Sequence, residues 1–109
     1  MALTKSLILQ VAVPKPLYSH FDYLPSAGIE VSQLRPGMRL LVPFGTHNVV
    51  GVLLAVADTT TVPADKLKAV KKIIDSTPVL PEDSLNLLQW ASRYYHHPIG
   101  DVIATALPA

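Results

Sequence analysis

With 109 residues, half of them hydrophobic and 16% charged, the chain is long enough to bury one core and too apolar for disorder. The absence of cysteine excludes disulfides, thiol catalysis and thiolate metal sites, and it fits a reducing compartment. Nine Lys and Arg against eight acids give a formal charge of +1, so a broad grip on phosphate backbone is excluded and any nucleic-acid contact is expected to be local.

Leu7 to Val13 is a short aliphatic run stopped by Pro14 and Pro16, and it reads as a strand. Gln10 interrupts it, and it lacks the length and small-residue cleavage site of a signal peptide. Nothing approaches the roughly 18 apolar residues of a membrane-spanning helix, so a soluble cytoplasmic protein without a membrane partner is expected. His20 to Leu24 alternates, with Phe21 and Tyr23 on one face and Asp22 on the other. Pro36-Gly37 marks a turn, and Met38 to Pro43 reads as a third strand. Phe44 to Asn48 is a tight connection around Gly45, and Val49 to Ala57 is a β-branched run that completes a hairpin. Gly51 inside that run marks a bulge or a close backbone approach.

Asp58 to Asp65 is a polar loop with three consecutive threonines. Lys68 to Asp75 fits both a helical stripe and an alternating one, and its shortness favours a strand. Glu82 and Asp83 after Pro81 suit the first turn of a helix. Leu85, Leu88, Trp90, Ala91 and Tyr94 or Tyr95 form its stripe, with Trp90, Tyr94 and Tyr95 read as core. His96-His97-Pro98 ends that helix and caps or bridges the break. A second helix is expected from Ile99 to Leu107, with Asp101 as its cap. The expected fold is α+β: a small, barrel-like antiparallel β-rich part over 1–76 and a two-helix part over 77–109, within one domain.

Catalytic signatures are missing. There is no phosphate-cradling Gly-x-x-x-x-Gly-Lys-Ser/Thr loop, no dinucleotide fingerprint and no Ser, His and Asp grouping with context. His96 and His97 are adjacent and so point about 100° apart on a helix, which disfavours a shared metal. The 109 residues are not expected to be an enzyme or to carry a cofactor.

Several segments resemble the primosomal replication-restart helicases, the PriA family. They are Val11-Ala-Val-Pro-Lys-Pro-Leu, Phe21-Asp-Tyr-Leu24, Pro36-Gly-Met-Arg-Leu-Leu-Val-Pro-Phe-Gly45 with Gly51-Val52, Leu67-Lys-Ala-Val with Asp75, and Trp90-Ala91 with Tyr94-Tyr-His-His-Pro-Ile-Gly-Asp-Val102 and Ala106-Leu-Pro108. Each is weak alone, but their order and spacing across almost the whole chain are specific. The resemblance implies a module that holds the free 3′-hydroxyl end of a nascent leading strand at a stalled or abandoned fork. In the longer protein it precedes an ATP-dependent 3′-to-5′ helicase. ATP, magnesium and a structural zinc belong to that longer protein, as do primosome proteins and single-stranded-DNA-binding protein as partners and a nucleoid-associated setting. The module itself is expected to be a monomer.

Carried over to these positions, Asp22 accepts the terminal hydroxyl, Phe21 and Gly45 line the base pocket with Tyr23 beside them, and Lys68 is the pocket lysine. Thr46 to Asn48 departs from the charged loop that the family has there, which leaves the Gly45 loop its backbone as a contact. The bland alternatives remain open on pattern alone. Asp22 reads as an exposed acid or turn cap, Phe21 and Tyr23 as core, Gly45 as a turn residue and Lys68 as a solvated lysine. Lys66, Lys71 and Lys72 read as a solvated basic face. A protein-docking domain that contacts the helicase core or other replication proteins is the alternative function.

Overall fold

The computed structural model describes residues 7–13, 20–26, 29 and 31–106. Six strands form one sheet: β1 Ile8–Ala12, β2 Phe21–Leu24, β3 Arg39–Phe44, β4 His47–Ala57, β5 Lys68–Ala69 and β6 Lys72–Ile73. Two helices follow, α1 Glu82–Tyr95 and α2 Ile99–Ala106. The strand order is β5-β2-β1-β4-β3-β6.

The aliphatic run of β1 is explained by its central place, because both of its faces are buried. Leu9 and Val11 point into the curl of the sheet with Tyr23, Leu40, Val42 and Leu53. Ala12 points the other way and packs with Val52, Leu80, Leu85, Ile99 and Ile103 under the helices. A strand covered on both sides reads as a continuous apolar run instead of an alternation.

The β3–β4 hairpin has the expected partners, but its connection is shorter than the five residues Phe44 to Asn48. Phe44 pairs with His47, which leaves Gly45 and Thr46 as the loop. Gly45 has φ 62, at the first central position, where a type II′ hairpin turn favours glycine. Gly51 marks a close backbone approach. A Cβ there would lie 2.5 Å from Val11 Cγ1 and 2.8 Å from the Ala12 carbonyl oxygen. The bulge lies elsewhere, at Leu54, where the β1–β4 register shifts between Gln10 and Val11.

Residues 68–73 differ from a single strand. Lys68–Ala69 pairs with β2 in parallel, and Lys72–Ile73 pairs with β3 antiparallel. The Val70 amide donates to the Leu24 carbonyl at 2.9 Å, and the Lys71 amide donates to the Leu41 carbonyl at 2.8 Å. One short segment therefore stitches together the two edges of the sheet. It curls the sheet into a half-barrel and makes it mixed instead of antiparallel throughout.

α1 starts after Pro81 with Glu82 and Asp83 in its first turn, where the helix dipole favours acids. It ends at His96, in the left-handed region at φ 58. The His97 amide donates to the Ser92 carbonyl at 3.1 Å, and the buried Ser92 hydroxyl donates to the His97 carbonyl at 2.5 Å. Asp101 does not cap α2; it is the third residue of a helix that begins at Ile99. Leu107 lies outside the described residues.

The expected aromatic core of α1 is overturned. Trp90, Tyr94 and Tyr95 are 47%, 63% and 60% exposed, and Leu87 is 63% exposed. The helix seats Leu85, Leu88 and Ser92 against the sheet, and at 100° per residue Leu87, Trp90 and Tyr94 fall on the opposite side. The three rings instead pack on one another, with Trp90 and Tyr94 stacked at 4.8 Å. Among the described residues no helix is long and apolar enough to cross a membrane.

Candidate nucleic-acid interface

β2 enters from one side of a cleft of about 250 Å³ at the mouth of the half-barrel, bringing Phe21, Asp22 and Tyr23. The β3–β4 turn brings Pro43, Phe44 and Gly45 from the other side, and residues 62–68 close it with Val62, Lys66 and Lys68. All five residues singled out in the sequence (Phe21, Asp22, Tyr23, Gly45 and Lys68) line this one cleft.

Phe21 is half-buried and meets Phe44 edge to face, with ring centroids 5.1 Å apart. Tyr23 is 4% exposed, and its hydroxyl donates to the Pro43 carbonyl at 2.8 Å. Burial pushes the Tyr23 phenol above its ordinary pKa, so it stays a neutral donor. Tyr23 is thus a core residue that fixes the rim. Gly45 is exposed, and an added Cβ would meet nothing within 4 Å, so its backbone faces open space. β5 pairs with β2 only at Tyr23 and Leu24. Among the described residues, no strand covers the outer edge of β2 at Phe21 and Asp22, which leaves that backbone edge to the cleft.

Asp22 is neither a freely exposed acid nor sealed away. Its side chain is 13% exposed. The Thr60 hydroxyl donates to Oδ2 at 2.5 Å. His20 Nε2 lies 3.3 Å from Oδ1 without the alignment of a hydrogen bond, and Oδ1 is buried with no hydrogen-bond donor among the described residues. Lys66 and Lys68 are exposed on the rim. The cleft therefore combines one deep carboxylate, a pair of aromatic rings and two outer ammonium groups.

Five contributors are not legible as site residues in the sequence: Pro43, Phe44, Lys66, Val62 and Thr60. Pro43 and Phe44 sit inside the Val-Pro-Phe-Gly stretch, and by pattern Lys66 reads as part of a solvated face with Lys71 and Lys72. Val62 and Thr60 come from the polar loop, where three successive threonines carry no pattern to show which one turns inward. A larger cleft of about 400 Å³ lies between the sheet and α1, with Gln10, His20, Gln89 and Arg93 in its wall, and it contains none of the five residues. Among the described residues, no group of three or more His, Asp or Glu converges as zinc ligands would.

Over residues 10–108 the chain matches the family described as the 3′DNA-binding domain (3′BD) of PriA. It is 39% identical over 101 residues to the replication restart protein PriA of Haemophilus influenzae, covering 93% of this chain and 13% of that protein. It is 29% identical over 103 residues to the PriA of Buchnera aphidicola from Schizaphis graminum, covering 94% of this chain and 14% of the relative. With the PriA of Bacillus subtilis it shares 36% identity over 72 residues, or 66% of this chain and 9% of the relative. The chain thus spans about one-seventh of the length of these relatives or less. It belongs to the PriA 3′DNA-binding domain family.

Proposed function

We propose that the cleft around Asp22 takes the last nucleotide of a DNA strand by its free 3′-hydroxyl and does so for any base. The observation that carries this reading is a carboxylate set beside two aromatic rings in a nucleotide-sized cleft with lysines at its rim. A terminal 3′ oxygen carries a hydrogen and donates to a carboxylate, whereas an internal one carries a phosphodiester. A hydrogen bond to a charged group contributes roughly 1.5–3 kcal/mol. A phosphate oxygen about 4 Å from Asp22, at an effective dielectric of about 20, is repelled by up to about 4 kcal/mol. One acid therefore attracts ends and rejects the strand interior. Phe21 and Phe44 offer apolar surface that suits every base, and the open backbone edge of β2 offers polar groups that do not depend on one. Lys66 and Lys68 supply the local positive charge for the adjoining phosphate.

In the longer protein we place this module ahead of an ATP- and magnesium-dependent 3′-to-5′ helicase with a structural zinc. That protein acts at stalled forks with primosome and single-stranded-DNA-binding proteins in the bacterial cytoplasm. A second reading, docking onto another protein surface, is favoured by the solvent-facing Leu87, Trp90, Tyr94 and Tyr95, and it is compatible with end binding.

The test is fluorescence anisotropy with short oligonucleotides ending in a 3′-hydroxyl or a 3′-phosphate. The hydroxyl end is expected to bind at least roughly tenfold more tightly. Asp22→Ala is expected to remove that preference while circular dichroism stays unchanged. Equal affinity of the unsubstituted chain for both ends overturns the reading.

A further inference from the structure

Asp22 already holds a hydroxyl from within the chain. Thr60 Oγ1 donates its single proton to Oδ2, and the same oxygen accepts the Val62 amide at 3.1 Å. The other carboxylate oxygen, Oδ1, is buried and turned towards His20. With Oδ1 buried, Oδ2 is the oxygen left for a ligand hydroxyl, and it already accepts from Thr60.

We infer that the Thr60 hydroxyl stands in for the strand's terminal hydroxyl, so that end capture is an exchange of one O–H donor for another on Asp22. The inference rests on the end-binding reading above. The donor group is chemically the same in both states, so the carboxylate keeps a hydrogen-bond donor before and after. A carboxylate in this semi-buried position needs one, since losing it leaves a desolvated charge unpaired. The local structure suits an element that yields. Thr60 lies in the loop between β4 and the 3-10 turn Ala64–Lys66. Its hydroxyl is anchored within that loop only through Val62, and Val62 itself lines the cleft. Withdrawal of Thr60 thus moves part of the cleft wall.

The exchange makes Thr60 a specificity-determining residue. An end that cannot donate, such as a 3′-phosphate, must displace Thr60 and return no donor to Asp22. It therefore loses the internal bond in addition to meeting the charge repulsion. A donor end loses one bond and gains its equivalent.

Thr60→Val keeps the shape and removes the internal donor, while Thr60→Ser keeps the donor. The exchange predicts that Thr60→Val binds hydroxyl-ended oligonucleotides roughly fivefold more tightly than the unsubstituted chain, because nothing has to be displaced. Thr60→Ser should bind like the unsubstituted chain. Equal or weaker binding by Thr60→Val overturns the exchange and makes Thr60 a simple support for Asp22. A second measurement needs no substitution. The Val62 amide, hydrogen-bonded to Thr60 in the free chain, should exchange with deuterium faster in the presence of a hydroxyl-ended dinucleotide; unchanged or slower exchange counts against the idea. Failure of the end-binding reading is recognised separately, by an unsubstituted chain that does not distinguish a hydroxyl end from a phosphate end.

Discussion

The Tyr23 hydroxyl donates to the Pro43 carbonyl at 2.8 Å and so ties β2 to the turn that carries Phe44 and Gly45. The bond joins the two sides of the cleft, and Tyr23 is only 4% exposed. Tyr23→Phe keeps the ring and leaves the Pro43 carbonyl without its partner. It is expected to destabilise the chain by about 1 kcal/mol in urea titration. Oligonucleotide affinity should weaken modestly while the preference for a hydroxyl end remains, because Asp22 is untouched. Loss of that preference in Tyr23→Phe would assign Tyr23 a direct contact.

A second tie lies away from the cleft. Arg39 holds Asp75 through Nε at 2.9 Å, Nη2 at 3.0 Å and its own backbone amide at 3.0 Å. The guanidinium hydrogen bonds hold the Asp75 carboxyl below its ordinary range, with the backbone amide and the Arg39 charge adding and burial opposing. A carboxylate whose pKa is lower in the folded chain contributes stability that is present above its unfolded value, about 3.9, and lost as pH falls through the folded value. Asp75→Asn is therefore expected to lower Tm by a few degrees at neutral pH and to flatten the fall in Tm below about pH 4. Parallel melting curves for the two chains between pH 7 and pH 2 would remove Asp75 from the acid response.

The two faces of α1 make a third prediction. Leu85 is 2% exposed against the sheet, so Leu85→Ala is expected to destabilise by about 2–5 kcal/mol. Trp90 is 47% exposed and stacks chiefly on its own helix, so Trp90→Ala should cost about 1 kcal/mol or less. Denaturant titration of both variants checks the contrast. A Trp90→Ala change as costly as Leu85→Ala would place the indole in the core.

The misreading of Trp90 shows where pattern stops being informative. Leu85, Leu88, Trp90 and Ala91 satisfy a broad helical stripe, but a helix on a sheet buries a narrower one, centred here on Leu85 and Ser92. The polar Ser92 was the buried member because its hydroxyl closes the helix end on His97. Hydrophobicity ranks side chains by preference for the interior, and it does not say which face a neighbouring element covers.

What the amino-acid order determined by itself was local. Turn chemistry at Gly45 placed the hairpin, aliphatic density marked β1 as a strand, acids after Pro81 started α1, and Gly51 announced the close passage of β1 over β4. The resemblance to the PriA family also pointed to Phe21, Asp22, Tyr23, Gly45 and Lys68, which the fold gathers around one cleft. Only the tertiary structure decided that residues 68–73 join both sheet edges, that Lys66 and Phe44 share the cleft, and that Thr60 occupies Asp22 from 38 positions away. The division has one physical cause. Backbone propensity and side-chain periodicity act over a few residues, while the partner of a buried charge is chosen by how the chain closes on itself.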